Sequence, residues 1–136
     1  FKTIEIIRKY SPEAPWVCCE KSKLQQVFFN LFKNAAEEMS KLASDRPPKL
    51  TVGIQAKPGR VIVEIEDNGP GMDARTQKRI FEPFFTTKDV DKGTGLGLSV
   101  SYFIVVQEHQ GEMVVESVAG QGTKFIITLP ATPLAA

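Results

Sequence analysis

Asn30 and Asn34 lie four residues apart in a segment of helical period, so their side chains stack on one helix face, at the border of an apolar stripe. Asparagine is a mediocre helix former, and two of them in mid-helix are not there for propensity. Their amides offer N–H donors and hard carbonyl oxygens. Mg²⁺ accepts one or two such oxygens and takes the rest of its shell from phosphate and water. The spacing alone suits equally well two side chains that bond neighbouring loops.

Asp67 carries a second chemical signal. Val61, Val63 and Ile65 share one face of a strand, Glu64 and Glu66 the other, and parity turns Asp67 to the apolar side. A poorly paired carboxylate there costs on the order of several kcal/mol unless something donates hydrogen bonds to it. No Arg or Lys is close in sequence. A ligand N–H, such as the exocyclic amine of adenine, would satisfy it. Thr123 likewise shares an inward face with Phe125, Ile127 and Leu129.

Two glycine turns frame the remaining candidates. Asp67-Asn68-Gly69-Pro70-Gly71 ends the strand, and Gly93-Thr94-Gly95-Leu96-Gly97 opens into a helix from Leu98 to His109. Glycines permit close backbone approach, and free N–H groups at a helix start favour phosphate. The second cluster is not a Walker loop, which needs Lys-Ser or Lys-Thr after its last glycine, nor is it the dinucleotide fingerprint. Between the turns runs Phe81-Glu82-Pro83-Phe84-Phe85-Thr86-Thr87-Lys88, with neither helical nor strand period. Phe81 reads as satellite core, and Phe84 with Phe85 as the hinge of a lid over a phosphorylated ligand. His109, the single histidine, falls in the last turn of its helix before Gly111, where an imidazole bonds terminal carbonyls; the structural role outweighs a catalytic one.

The elements that must hold these groups follow from period and punctuation. Ile4, Ile6 and Tyr10, with Trp16 and Val17 after Ser11-Pro12, predict a strand pair. Ser22 and Gln25 form a capping-box pattern opening a helix whose stripe is Leu24, Val27, Phe28, Leu31, Ala35, Met39 and Leu42. Ser44 to Pro48 is a connection, and Leu50–Ala56 with Arg60–Asp67 predict a hairpin around Lys57-Pro58-Gly59. Asp73 caps a short helix through Ile80. In the helix from Leu98 to His109 the expected stripe is Leu98, Tyr102, Val105, Val106 and His109. Glu112–Ser117 and Thr123–Leu129 are the last strands, flanking Gly120-Gln121-Gly122.

The 136 residues fit one domain, and 42% apolar residues fill one core. Seventeen basic against sixteen acidic residues leave a net charge of +1, which gives no electrostatic footprint for nucleic acid. Cys18 and Cys19 are adjacent, too close to bridge each other or to offer metal-ligand spacing. They are expected reduced, ending a buried strand, in a cytoplasmic setting. No apolar run reaches eighteen residues. The chain begins at Phe1 inside an expected strand, which suggests a piece of a larger protein whose other parts could reach a membrane.

Assembled, these blocks resemble the ATP-binding catalytic domain of two-component sensor histidine kinases, in a superfamily with type II topoisomerases, mismatch-repair ATPases and a heat-shock chaperone. Asn30-Leu31-Phe32-Lys33-Asn34-Ala35, Asp67 to Met72, Phe81 to Phe85 and Gly93 to Ser99 come in family order, and Gly120-x-Gly122-Thr123 matches the final signature. The resemblance implies an α+β, two-layer α/β sandwich of the Bergerat type, a mixed, mostly antiparallel sheet covered on one face by helices. Residues 1–130 would form the domain and 131–136 a frayed tail.

It implies that Asn34 coordinates Mg²⁺, that Asn30 supports the phosphates and that Asp67, assisted by Thr123, takes the adenine amine. Gly69 and Gly71 would let the backbone approach the base. Gly93, Thr94, Gly95, Leu96, Gly97 and Leu98 would wrap the phosphates, and Phe84 to Lys92 would form the lid. Hydrolysing relatives usually carry a water-activating glutamate where Asn30 stands, which favours transfer to a histidine over hydrolysis. Glu37 replaces a lysine frequent in sensor kinases; with Phe84 to Lys88 this resembles the nitrogen-regulation type, in which Lys88, Lys92 or Lys33 would meet the γ-phosphate, Lys88 being favoured. The implied partners are ATP, a separate phosphoacceptor histidine domain, through it a response regulator, and a second copy in a homodimer. A hydrolysing ATPase, an anti-sigma-type Ser/Thr kinase and a non-catalytic nucleotide sensor are the alternatives.

Overall fold

Alternating apolar residues from Leu50 to Asp67 build the centre of a sheet. In the computed structural model, which describes residues 3–12, 17–43, 45–85 and 96–131, β2 (Lys49–Lys57) and β3 (Arg60–Asp67) pair antiparallel. Gly59 supplies the φ of +74° that their turn requires. β1 (Glu5–Tyr10) adds to β2 in parallel, while β5 (Gly122–Pro130) pairs antiparallel with β3 and β4 (Glu112–Val118) with β5. The result is one mixed, mostly antiparallel sheet in the order β1-β2-β3-β5-β4, as expected.

Its inward residues form cross-strand rows. Val63 faces Ile54 and Ile127, and Ile127 faces Met113; Ile65 faces Val52 and Phe125, and Phe125 faces Val115. α1 (Lys21–Met39) lays Leu24, Val27, Leu31, Ala35 and Met39 on these rows. Each of these leucine, valine and methionine side chains removed from water contributes roughly 1.5–3 kcal/mol. Leu42 is also buried, in the turn that follows α1. α2 (Ala74–Arg79) is capped as expected, Asp73 accepting from the Thr76 N–H at 2.7 Å, a bond that holds its carboxyl below the usual range. Phe81 packs against the core edge with Tyr102 and Phe125. No helix among the described residues is long and apolar enough to cross a membrane.

Four local expectations are corrected. β1 does not pair with the Trp16–Val17 region: Trp16 lies outside the described residues, Val17 to Glu20 form no strand, and β2 takes the hydrogen bonds of β1. Cys18 and Cys19 are therefore exposed rather than ending a buried strand. α1 is not opened by a capping box; Ser22 lies inside its first turn, and Glu20 is the cap residue with no side-chain cap bond. The last helix is not uniform either. α3 (Gly97–Phe103) passes into a π-helical turn (Ile104–Glu108). Ser101, Ile104 and Val105 are buried at ordinary helical spacing, the wider turn brings His109 rather than Glu108 onto their face, and Tyr102 is exposed.

His109 has the structural role expected of it. Its Nε2 accepts the Glu20 N–H at 3.1 Å, so Nδ1 carries the proton and donates to the Ile104 carbonyl at 2.8 Å. One imidazole thus closes the π turn and ties it to the start of α1.

Candidate functional site

The inward rows of the sheet end in polar residues. One rung beyond Ile65, Phe125 and Val115, the same face carries Asp67, Thr123 and Ser117, paired across β3, β5 and β4. Asp67 is 3% exposed and Thr123 4%, which bears out the parity argument for both. Asp67 Oδ1 accepts the Gly69 N–H at 2.9 Å. Burial raises its pKa from 3.8 to about 6; the backbone N–H groups of Gly69 and Thr123 pull the other way, and Glu38 and Glu66 add to the rise. Near neutral pH this is a desolvated carboxylate, suited to a ligand N–H.

The first glycine turn is held from three sides. Asn68 accepts from the Lys49 N–H at 2.9 Å and donates to the Pro47 carbonyl at 3.0 Å, fastening the turn to the α1–β2 connection. A Cβ on Gly69 would meet Asp67 Oδ1 at 3.0 Å and the Glu38 backbone at 3.2 Å, so the turn lies directly on the end of α1. Gly71 has φ +73°, and the Val118 carbonyl occupies the place of its missing Cβ. The Gly120 N–H donates to the Pro70 carbonyl at 2.6 Å. The β4–β5 turn is thus packed onto the glycine turn.

The other end of the site is built from α1 and α3. Asn30 Nδ2 donates to the Gly97 carbonyl and to Ser101 Oγ, each at 3.2 Å, and Ser101 Oγ donates to the Gly97 carbonyl at 2.9 Å. Asn30 therefore holds the first turn of α3 against α1. Leu96 is the residue before α3, and Leu98 packs half-buried against the core.

Asn30, Asn34 and Glu38 follow at intervals of four along one line of α1, rising roughly 12 Å from first to last. Asn30 touches Gly97 and Glu38 underlies Gly69, which leaves the half-buried Asn34 one turn from each. Phe84 is not drawn in among these groups: it is 73% exposed with φ +67°. Lys88, Gly93, Thr94 and Gly95, and with them the expected lid, lie outside the described residues.

Ser117, Ser101 and Gln77 were not among the sequence candidates. Ser117 was legible by parity, since Met113 and Val115 precede it on the inward face of β4. Ser101 was legible at helical spacing, three residues after Leu98 and four before Val105, but as a polar residue it is not part of an apolar stripe. Nothing in its spacing marks Gln77, which bonds the Ser117 carbonyl at 2.8 Å and the Met72 carbonyl at 3.3 Å.

The model of the family described as histidine kinase-, DNA gyrase B-, and HSP90-like ATPase matches residues 19–133. Sporulation kinase E of Bacillus subtilis (strain 168) is 46% identical over 119 residues, which is 87% of this chain and 15% of that protein. The chain thus spans a small part of that relative. The nucleotide-free catalytic domain of histidine kinase ThkA superposes with a TM-score of 0.80 at 32% identity, covering 96% of this chain and 82% of that one. ThkA has also been solved in complex with the response regulator TrrA. Full-length ShkA in complex with AMPPNP gives a TM-score of 0.81 at 28% identity, over 98% of this chain and 27% of that one. The chain belongs to the histidine kinase-, DNA gyrase B-, and HSP90-like ATPase family, and within it to the ATP-binding catalytic domains of histidine-kinase type.

Proposed function

We propose that the domain binds Mg-ATP with the adenine amine at the Asp67–Thr123 rung and the phosphates toward Gly97, and passes the γ-phosphoryl group to a histidine on a separate dimerisation and phosphoacceptor domain. The observation that carries this reading is the α1 line: one helix face reaches both glycine blocks, with Asn34 between them. Asn34 suits Mg²⁺ by its donor chemistry. Among the described residues no three His, Cys, Asp or Glu side chains gather as a metal site. A cation beside Asn34 would draw on one amide oxygen with phosphate and water, the coordination Mg²⁺ accepts. When bound, Mg²⁺ supplies neutralisation of the charge on the phosphates.

Gly69 and Gly71 shape the base end, while Gly93, Thr94, Gly95, Leu96, Gly97 and Leu98 carry the phosphate end in this reading, with Phe84 at the root of a cover and Lys88 at the γ-phosphate. Catalysis is then positioning plus electrostatic stabilisation. Asn30 supports transfer over hydrolysis, because its amide N–H groups are committed to Gly97 and Ser101 and an amide is no base for water. The histidine acceptor is already nucleophilic and needs none. The phosphoryl group would pass on to a response regulator in a two-component system, as the pairing of ThkA with TrrA suggests for the type. We place the domain in the cytoplasm, as part of a homodimeric parent protein that is either soluble or membrane-anchored.

Two measurements test this. Asp67→Asn and Asn34→Ala should each abolish Mg-ATP binding while the circular dichroism spectrum stays that of the folded domain; unchanged affinity in both refutes the site. Supplying a phosphoacceptor domain with γ-labelled ATP should give protein label stable to base and lost in acid. Acid-stable label, or free phosphate alone, refutes histidine transfer.

A further inference from the structure

Ser117 Oγ has three hydrogen-bond neighbours and one proton. The Gly122 carbonyl, 2.7 Å away, can only accept, so the Ser117 proton goes there. The Met72 N–H, 2.8 Å away, can only donate, and it takes one Ser117 lone pair. Thr123 Oγ1 stands at 3.0 Å, and as a hydroxyl it has either role open to it. With the Ser117 proton committed, Thr123 must donate to Ser117. Its hydroxyl then has only lone pairs left for a ligand. The arrangement is rigid: Gln77 Nε2 bonds the carbonyls of both Ser117 and Met72 from α2, and Gly122 and Thr123 are buried in β5.

We propose that Ser117 is a positioning residue for base recognition, which by fixing the Thr123 proton away from the ligand makes the Asp67–Thr123 rung a pair of acceptors. This rests on the nucleotide reading above and adds its selectivity. Two adjacent acceptors match the two N–H groups of a 6-amino purine. A 6-oxo purine can give its N1–H to one acceptor but sets its O6 against the lone pairs of the other. If Thr123 turned its proton outward, it could serve either base. The discrimination is therefore set by a serine that need not touch the nucleotide.

The test compares binding of ATP and inosine triphosphate to the chain, because the second carries a 6-oxo group. Wild type should prefer ATP. Ser117→Ala frees the Thr123 hydroxyl to rotate and should lower the ATP-to-inosine-triphosphate affinity ratio about fivefold, the worth of one ordinary hydrogen bond. Ser117→Thr keeps the hydroxyl and should hold the ratio within about twofold on the same scale. In a Thr123→Val background Ser117→Ala should leave the ratio unchanged. If Ser117→Ala does not fold, Ser117→Cys carries the comparison, its thiol being a weak donor, and the same fall is expected.

A Ser117 variant that weakens both nucleotides equally, or one whose shift persists without the Thr123 hydroxyl, overturns the inference. Wild type that binds ATP and discriminates, together with an unchanged ratio in the variant, overturns this inference alone. Wild type that binds neither nucleotide overturns the nucleotide reading with it.

Discussion

Asp67 and Thr123 are direct partners across the β3–β5 ladder, at the rung where the buried face of the sheet stops being apolar. That position explains why the Asp67 pKa is pushed up to about 6, desolvation outweighing the N–H groups of Gly69 and Thr123. Binding of an adenine amine favours the ionised form. Affinity should accordingly be flat above pH 7 and fall about tenfold from that plateau by pH 5, roughly one pKa unit below the midpoint. Adenosine is the ligand to titrate, since it has no phosphate that ionises in this range. A pH-independent adenosine affinity would remove Asp67 from the base contact.

The same shift has a consequence for stability whose sign is opposite to that of an ion-paired aspartate. A folded pKa raised above 3.8 stabilises the fold fully at low pH, and this contribution is lost as pH rises through about 6. Relative to wild type, Asp67→Asn should therefore gain stability by roughly 3 kcal/mol between pH 3.5 and pH 7.5, with other titrations cancelling in the difference. Urea unfolding of both proteins across that range measures it. A constant difference would mean that burial does not set the pKa.

Gly71 and Gly120 both have positive φ, +73° and +85°, yet only Gly71 has its Cβ position occupied, by the Val118 carbonyl. Gly120→Ala should cost about 1 kcal/mol, the conformational term alone. Gly71→Ala must also displace the β4–β5 turn, and should cost about 2–4 kcal/mol, in the range of other strained or overpacked sites. Equal losses by urea unfolding would show that this turn yields easily and that Gly71 is needed for its backbone angle only.

Period-two patterns made the sheet and the inward Asp67 legible, because a strand has a fixed parity and its neighbours Val61, Val63 and Ile65 declare it. The stripe of α1 was legible for the same reason at helical period. The failures all lie where a non-local bond replaces a local one. Glu20 gives its N–H to His109, 89 positions away in the chain, so no capping pattern near Ser22 could report the start of α1. β1 likewise found its partner in β2 across the whole of α1. For the candidate site, residue types singled out Asn30 and Asp67, but their bonding to Gly97 and Gly69 required the fold.

Asn30 acts at the Gly97 end, so its loss should separate base binding from phosphate binding. Asn30→Asp keeps the volume but puts a second acceptor against the Gly97 carbonyl, where Nδ2 now donates at 3.2 Å. The start of α3 is then no longer held to α1, and one lost or reversed hydrogen bond here costs about 1–3 kcal/mol. ATP affinity should fall about tenfold or more, on the scale of that loss, with adenosine affinity within about twofold of wild type. Asp67→Asn should weaken both ligands together. Calorimetric titration of the two variants with the two ligands gives the comparison directly. If Asn30→Asp weakens adenosine as much as ATP, the site is not divided into a base end and a phosphate end along α1.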